Sequence, residues 1–166
     1  MMRLPKTAAS EQPRHNSQTF FVTLKTSQGK ALLQSERLAN LFIDVLRSFV
    51  NDSRFKVNEF VVMRNFVQLL ITVYGESTIE QVLRHIKARF AFRVRAEFAI
   101  KEWIWEFESK TVRVPDRSSF LKHKAAIEQQ PIKAGMAESV EAYPYSSAYL
   151  RKQKAKPKLL VIECRF

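Results

Sequence analysis

The chain has 166 residues, of which 46% are hydrophobic and 11% aromatic, so it suits one domain with a sizeable apolar core. One cysteine, Cys164, excludes a disulfide framework or a multi-cysteine zinc site, and three glycines argue against a glycine-rich phosphate loop. Lysine and arginine outnumber aspartate and glutamate by 28 to 16, and the net charge of +12 favours a polyanionic partner such as nucleic acid.

The first 17 residues are polar and contain two prolines, which predicts a flexible lead-in (1–17) before a domain over residues 18–150. The lead-in has no apolar run that could serve as a signal peptide. No segment approaches the roughly 20 apolar residues that span a membrane. We therefore expect no membrane partner and a cytoplasmic location.

The first half of the chain predicts a strand, a helix and a hairpin. Residues 19–25 read as a strand, and the helix over 35–50 has apolar residues that recur every three or four positions. The strands of the hairpin cover residues 54–63 and 66–73. The apolar stripe of the helix consists of Leu38, Leu41, Phe42, Val45, Leu46 and Phe49.

The second half predicts another helix, a strand and a terminal helix. The helix begins at Ser77-Thr78-Ile79-Glu80, which has capping-box spacing. Residues 104–114 read as the fourth strand, and Pro115-Asp116 starts a helix that reaches about Gln129. This order predicts an α+β fold: a ferredoxin-like split βαβ unit with a central antiparallel sheet and an extra C-terminal helix.

Two basic stretches are candidate DNA-binding surfaces. The helical segment 81–96 contains five cations and no acidic residue, although ordinary surface helices mix signs to form ion pairs. Residues 151–166 form a predicted basic tail, with five basic residues in the first eight. Both stretches could instead be merely solvated. The candidate DNA-binding residues are Arg84, Lys87, Arg89, Arg93, Arg95, Arg151, Lys152 and Lys154.

The hairpin raises a chemical question. Residues 60–73 read FVVMRNFVQLLITV, and Phe66 and Gln68 alternate on a strand, so they face the same way, as a pair of metal ligands would. The segment resembles the hallmark strand of the REP-associated tyrosine transposases of the HUH superfamily, which reads roughly Val-Val-Met-Pro-Asn-His-hydrophobic-His-Leu-Leu. Ile104-Trp105, residues 125–136 and residues 143–149 resemble three further elements of that family, in the same order.

This resemblance implies a degenerate family member. In the family, the two strand histidines bind a divalent metal that polarises the scissile phosphate, and a tyrosine attacks it. The matching positions here hold Phe66, Gln68 and Ala126, with Gln130 where the family has an amide near the metal. Phenylalanine cannot ligate a metal, a glutamine carbonyl is a poor substitute for imidazole, and alanine cannot attack phosphorus. No catalytic residue is intact, and we expect neither a metal site nor a cofactor.

Several residues near these positions keep open roles. His15, His85 and His123 lie far apart in sequence, and only His123, three residues before Ala126, could face the former site. Phe66 could stack on a base or fill the space left by a histidine. Trp103 and Trp105 alternate, which predicts that both rings lie on one face.

The resemblance implies a transposase-like protein that binds single-stranded or hairpin DNA and has lost strand cleavage. Phosphate contacts use different residues from the chemistry, so binding can outlast catalysis. The alternatives are a protein-interaction role, such as a homodimer or a pair with an active relative, a decayed copy without a specific DNA role, and an active transposase with a rearranged site. A DNA-bound protein would be nucleoid-associated.

Overall fold

Four antiparallel strands form a single sheet in the computed structural model, which describes residues 16–155. Their spatial order is β2-β3-β1-β4. The strands are β1 (Ser17–Lys25), β2 (Phe55–Val62), β3 (Phe66–Tyr74) and β4 (Lys110–Val114). The helices are α1 (Glu36–Arg47), α2 (Ile79–Phe98), α3 (Arg117–Lys133) and α4 (Ser147–Ala155). Strand and helix order together confirm the predicted ferredoxin-like α+β fold.

The larger core lies between the sheet and the helices α1 and α2. Val67, Leu69 and Ile71 alternate along β3 toward this face, and all three are fully buried. The ring of Phe42 in α1 meets Phe90 of α2 edge-to-face, with centroids 5.3 Å apart. The predicted apolar stripe of α1 is buried here, so the three-and-four spacing located this core correctly.

A smaller core lies on the opposite face, under α3. The other alternating residues of β3, Phe66 and Leu70, pack there with Val61 of β2 and Ile127 of α3. Asp116 caps α3, because its Oδ1 accepts a hydrogen bond from the Ser119 amide at 2.7 Å. The sheet therefore separates α2 from α3.

Residues 143–147 cover the outer edge of β2. The Val62 amide donates to the Tyr145 carbonyl at 2.9 Å, and the Tyr143 hydroxyl donates to the Val62 carbonyl at 2.6 Å. Burial raises the pKa of Tyr143 to about 12. An uncovered edge strand invites pairing with other chains, and this segment removes that hazard at β2.

Two predicted boundaries were wrong. The capping box is formed by Thr78 and Gln81, one residue later than the predicted Ser77 and Glu80, with both reciprocal hydrogen bonds at 3.2 Å. The fourth strand begins at Lys110 and not at residue 104. Trp105 makes only an isolated bridge to Thr26, so residues 103–109 form a loop rather than a regular strand.

The loop geometry also contradicts the prediction that the two tryptophans share one face. Trp103 is 80% exposed, whereas Trp105 is 8% exposed and packs its ring 5.4 Å from that of Phe90. Strict alternation of side chains requires continuous strand pairing, which this segment lacks. Trp105 is therefore a core residue, whereas Trp103 is a surface residue.

The ends of the chain modify two further predictions. Helix α3 continues past Gln129 to Lys133, with Pro131 in its last turn. Of the predicted tail (151–166), residues 151–155 belong to α4, so the predicted boundary at residue 150 falls inside a helix. The rest of the tail lies outside the described residues, as does the lead-in up to and including His15.

Candidate nucleic-acid interface

Strand β3 carries the first two positions that would hold the family's metal ligands. Phe66 and Gln68 occupy alternating positions facing α3, opposite Lys25 and Thr23 of β1. Gln68 is only 9% exposed, and its Oε1 has no hydrogen-bond partner among the described residues. A buried acceptor without a partner costs about 1–3 kcal/mol. The amide at this position is therefore a local source of instability.

Helix α3 carries the remaining two positions, Ala126 and Gln130, both half-buried. The helix packs against β2 and β3, so the fold brings together the two elements that hold all four positions. Within residues 16–155, no group of three or more histidine, cysteine, aspartate or glutamate side chains is placed to hold a metal ion. A phenylalanine and a neutral amide do not fit a divalent metal.

The two described histidines do not restore this site. The His123 ring stacks on Phe21 of β1, with centroids 4.6 Å apart and a 20° angle between planes. His123 thus faces the α3 side of the sheet, but its ring is used in packing. His85 lies on α2, where its Nε2 is 3.3 Å from Nη1 of Arg54. The sheet separates it from Gln68.

Helix α2 carries five cations, and two of them are occupied by neighbouring side chains. Arg89 donates to the Ser48 hydroxyl at 2.8 Å and covers the Phe49 ring at 4.1 Å. Arg93 forms an ion pair with Glu97 at 3.0 Å. The acid-free segment ends at Ala96, one residue before this partner, so the expectation that α2 lacks intrahelical pairs was wrong at Arg93.

Lys87 holds a loop against α2. Its Nζ donates to the carbonyl oxygen of Glu106 at 3.0 Å and to the hydroxyl of Ser109 at 3.3 Å. A longer contact reaches the carbonyl oxygen of Phe107 at 3.5 Å. Burial lowers the pKa of Lys87. The hydrogen bonds of Lys87 therefore position the 103–109 loop.

Arg84 and Arg95 are exposed on α2, and neither has an ion pair among the described residues. Both line a groove of about 1170 Å³ between α2 and the 103–109 loop, which we call the α2–loop groove. Two exposed aromatic side chains also line this groove, Trp103 (80% exposed) and Phe107 (99% exposed). Free cations beside exposed rings are typical of surfaces that bind unpaired nucleic acid.

The sequence profile of the IS200-like transposases matches residues 16–115. The chain belongs to this family. The match covers the whole sheet and both α1 and α2, and it ends just before α3. The resemblance of the hairpin strand to a transposase strand is thereby confirmed.

Two solved structures resemble this IS200-like chain. A REP-associated tyrosine transposase bound to a REP hairpin has a TM-score of 0.67 at 20% identity, over 84% of this chain and 82% of the other. A putative transposase from Deinococcus radiodurans R1 has a TM-score of 0.53 at 17% identity, over 78% and 98%. At these identities the likeness shows a shared fold. No curated protein matches the chain.

The candidate cations in the described part of the predicted tail differ in their contacts. Arg151 forms ion pairs with the buried Glu59 at 2.7 Å and with Glu128 at 3.5 Å. It therefore fastens α4 to β2 and α3. Lys152 lies 3.6 Å from Glu141, and Lys154 is exposed without an ion pair among residues 16–155.

No helix in the described part is long and apolar enough to cross a membrane.

Sequence reasoning missed the α2–loop groove, although part of its signal is local. Arg84, Ala88, Ala91 and Arg95 lie four, three and four residues apart, which places two cations and two small residues on one helical face. The other wall could not be found in this way. The predicted strand over 104–114 placed the residues of this wall in the sheet, whereas they belong to a loop that Lys87 holds against α2.

Proposed function

We propose that this chain is a DNA-binding member of the IS200-like transposases that holds single-stranded or hairpin DNA without cleaving it. One observation carries the proposal: in a transposase fold, the β3 and α3 positions of the chemistry have lost their reactive groups, while α2 on the opposite face keeps unpaired cations. Phosphate binding needs charge and position, but no nucleophile or metal.

The chemistry of the four positions supports the absence of cleavage. Phe66 offers no lone pair to a metal, and Ala126 has no nucleophilic atom. Gln68 is buried and offers one neutral oxygen, which is far short of the ligand set that a divalent cation needs. Phe66 packs with Leu70 and Ile127, which supports a space-filling role over base stacking.

The charge distribution supports DNA as the partner. The net charge is +12, and Arg84 and Arg95 project from α2 without ion pairs among the described residues. One structural neighbour is a transposase bound to a REP hairpin, which favours hairpin DNA within this class. Lys152 and Lys154 are further exposed cations on α4, whereas Arg151 is paired with the buried Glu59. Such a protein would be found at the nucleoid.

Pairing with a second copy or an active relative is the second candidate. Strand β4 ends the sheet, and no described strand pairs with its outer side. Its sequence works against that pairing, because Lys110 and Arg113 are exposed there and charged edges discourage strand addition. DNA binding therefore remains the better supported function.

The test measures fluorescence anisotropy of a labelled palindromic hairpin, a scrambled single strand and a duplex over a salt series, with Mg²⁺ or EDTA. We expect the hairpin to bind most tightly, equally well with and without metal, and to remain uncut on a denaturing gel. Strand cleavage that requires metal would overturn the inactive assignment. Equal binding of all three DNAs would leave only a general basic surface.

Matched variants locate the binding surface. Arg84→Ala and Arg95→Ala should each weaken binding and lower the salt slope by about one, as expected for one lost phosphate contact. Arg93→Ala removes the same charge from the same helix, but its guanidinium is paired with Glu97. A smaller effect of Arg93→Ala is expected. Gln68→Met, on the opposite face, should leave the affinity unchanged.

A further inference from the structure

The α2–loop groove has two chemically different walls. Helix α2 contributes Arg84 and Arg95, with Ala88 and Ala91 between them. The 103–109 loop contributes exposed aromatic rings and carboxylates. From this division we propose that the groove holds unpaired nucleotides of the bound DNA, with phosphates along α2 and bases against the loop. This inference rests on the proposed DNA binding and adds the site and the form of the ligand.

The α2 wall is suited to a stretch of phosphates. Arg84 and Arg95 are eleven residues apart, which corresponds to about 16 Å along the helix axis. The two alanines between them have small side chains, so a DNA strand can approach the helix closely. Lys87 lies between the arginines, but its Nζ is occupied by the loop. Two exposed arginine side chains without ion pairs among the described residues thus remain for phosphate contacts.

The loop wall is suited to bases. Phe107 is 99% exposed and Trp103 80%, although aromatic side chains of this size are normally buried. Bases have π-faces that stack on such rings whatever their sequence. Lys87 fixes this loop through two of its carbonyl oxygens, so the rings are carried on a tethered backbone. In a duplex the faces of the bases are covered, so only unpaired nucleotides can use this wall.

Carboxylates of the loop give its wall a charge opposite to that of the arginines on α2. Glu106 and Glu108 of the loop line the groove, while Glu80 lines it from the first turn of α2, on the arginine side. Negative charges on the loop repel phosphates toward the arginines of the opposite wall. A carboxylate also accepts hydrogen bonds from the N4 amino group of cytosine, which thymine lacks. The groove therefore favours cytosine over thymine in an unpaired segment.

A buried donor at the same groove is also without a partner. Trp105 lines the groove and is 8% exposed, and its Nε1 makes no hydrogen bond to any described residue. Buried indole N–H groups usually find an acceptor. A base carbonyl bound in the groove would supply the missing acceptor.

The test compares two hairpins that differ only in a short single-stranded cytosine overhang, with anisotropy as the readout. Trp103→Ala and Phe107→Ala should each weaken binding of the overhang hairpin by about tenfold, as loss of one stacking platform does. Both should bind the blunt hairpin as the wild type does. The matched control is Phe92→Ala, which removes a 72% exposed ring from α2 outside the groove and should change neither affinity.

Tryptophan fluorescence gives a second readout on the same complexes. Stacked bases should quench Trp103, whereas Trp105 is buried, so the overhang should quench wild-type emission more than the blunt hairpin does. Trp103→Phe should abolish that difference while it keeps most of the affinity. Replacing the cytosines by thymines should weaken binding, and Glu106→Gln with Glu108→Gln should reduce this preference.

The outcomes separate the two proposals. Wild-type affinity for the overhang hairpin in both Trp103→Ala and Phe107→Ala would overturn the groove assignment, while tight hairpin binding would leave the proposed function standing. Failure of the wild type to bind either hairpin would overturn the proposed function and this inference together. Equal weakening by Phe92→Ala would show that exposed rings act nonspecifically and would also overturn the assignment.

Discussion

The two faces of the sheet have different compositions and carry different parts of this protein. On the α1–α2 face, a large core contains the interlocked rings of Phe42, Phe90 and Trp105, and the outer surface of α2 carries free arginines. On the α3 face, a small core surrounds Gln68, whose buried oxygen has no described partner. Most of the apolar burial thus lies on the α1–α2 face, so the fold depends less on packing at the α3 face.

The largest expected effect tests where the stability resides. Phe90→Ala should lower the free energy of unfolding by about 3–5 kcal/mol, because Phe90 is fully buried between Phe42 and Trp105. Phe66→Ala, which truncates the same side chain at a half-buried position on the other face, should cost less than half as much. Urea unfolding followed by circular dichroism measures both. Equal losses would contradict the contrast between the two faces.

An intermediate effect separates structural from binding cations in α4. Arg151→Met leaves the buried carboxylate of Glu59 without its cation, and we expect a loss of about 1–3 kcal/mol in unfolding free energy. Lys154→Met removes the same charge from an exposed site and should change stability by less than about 0.5 kcal/mol.

The same two variants can be compared in hairpin binding. At a temperature where both are folded, Lys154→Met should weaken binding at least as much as Arg151→Met, because the Arg151 guanidinium is already paired. A much larger binding loss in folded Arg151→Met would assign this residue to the DNA interface instead.

The smallest effect concerns pH and the covered edge of β2. Tyr143 has a pKa of about 12 in the folded protein, raised by burial, and near 10 when unfolded. The unfolded chain therefore loses this proton first, and the associated stability is complete below pH 10 and is lost between pH 10 and 12. Tyr143→Phe should remove this part of the alkaline decline and cost about 1 kcal/mol at neutral pH.

Tyr145 provides the control, because its pKa is raised in the same direction but it is less buried. Tyr145→Phe should alter the alkaline decline less than Tyr143→Phe does. Identical unfolding curves for the wild type and Tyr143→Phe at both pH 7 and pH 11 would show that this hydroxyl does not stabilise the edge.

The sequence by itself determined the order of elements and the fold class, while the assignment of altered catalytic positions stays a prediction. Apolar residues at three-and-four spacing defined α1 because the helical period is local, and Phe66 and Gln68 share a face because strand side chains alternate. The resemblance to transposase motifs located Ala126 and Gln130 on the helix that packs against that strand.

Only the tertiary structure decided which cations are free and what faces them. Arg89, Arg93 and Arg151 are engaged by Ser48, Glu97 and Glu59, and two of these three partners lie more than forty positions away. Residues 104–109 of the loop were predicted as part of a strand because alternation resembles strand patterning even where pairing is absent. The attachment of the loop to Lys87, and hence the α2–loop groove, depends on contacts between distant segments that no local period encodes.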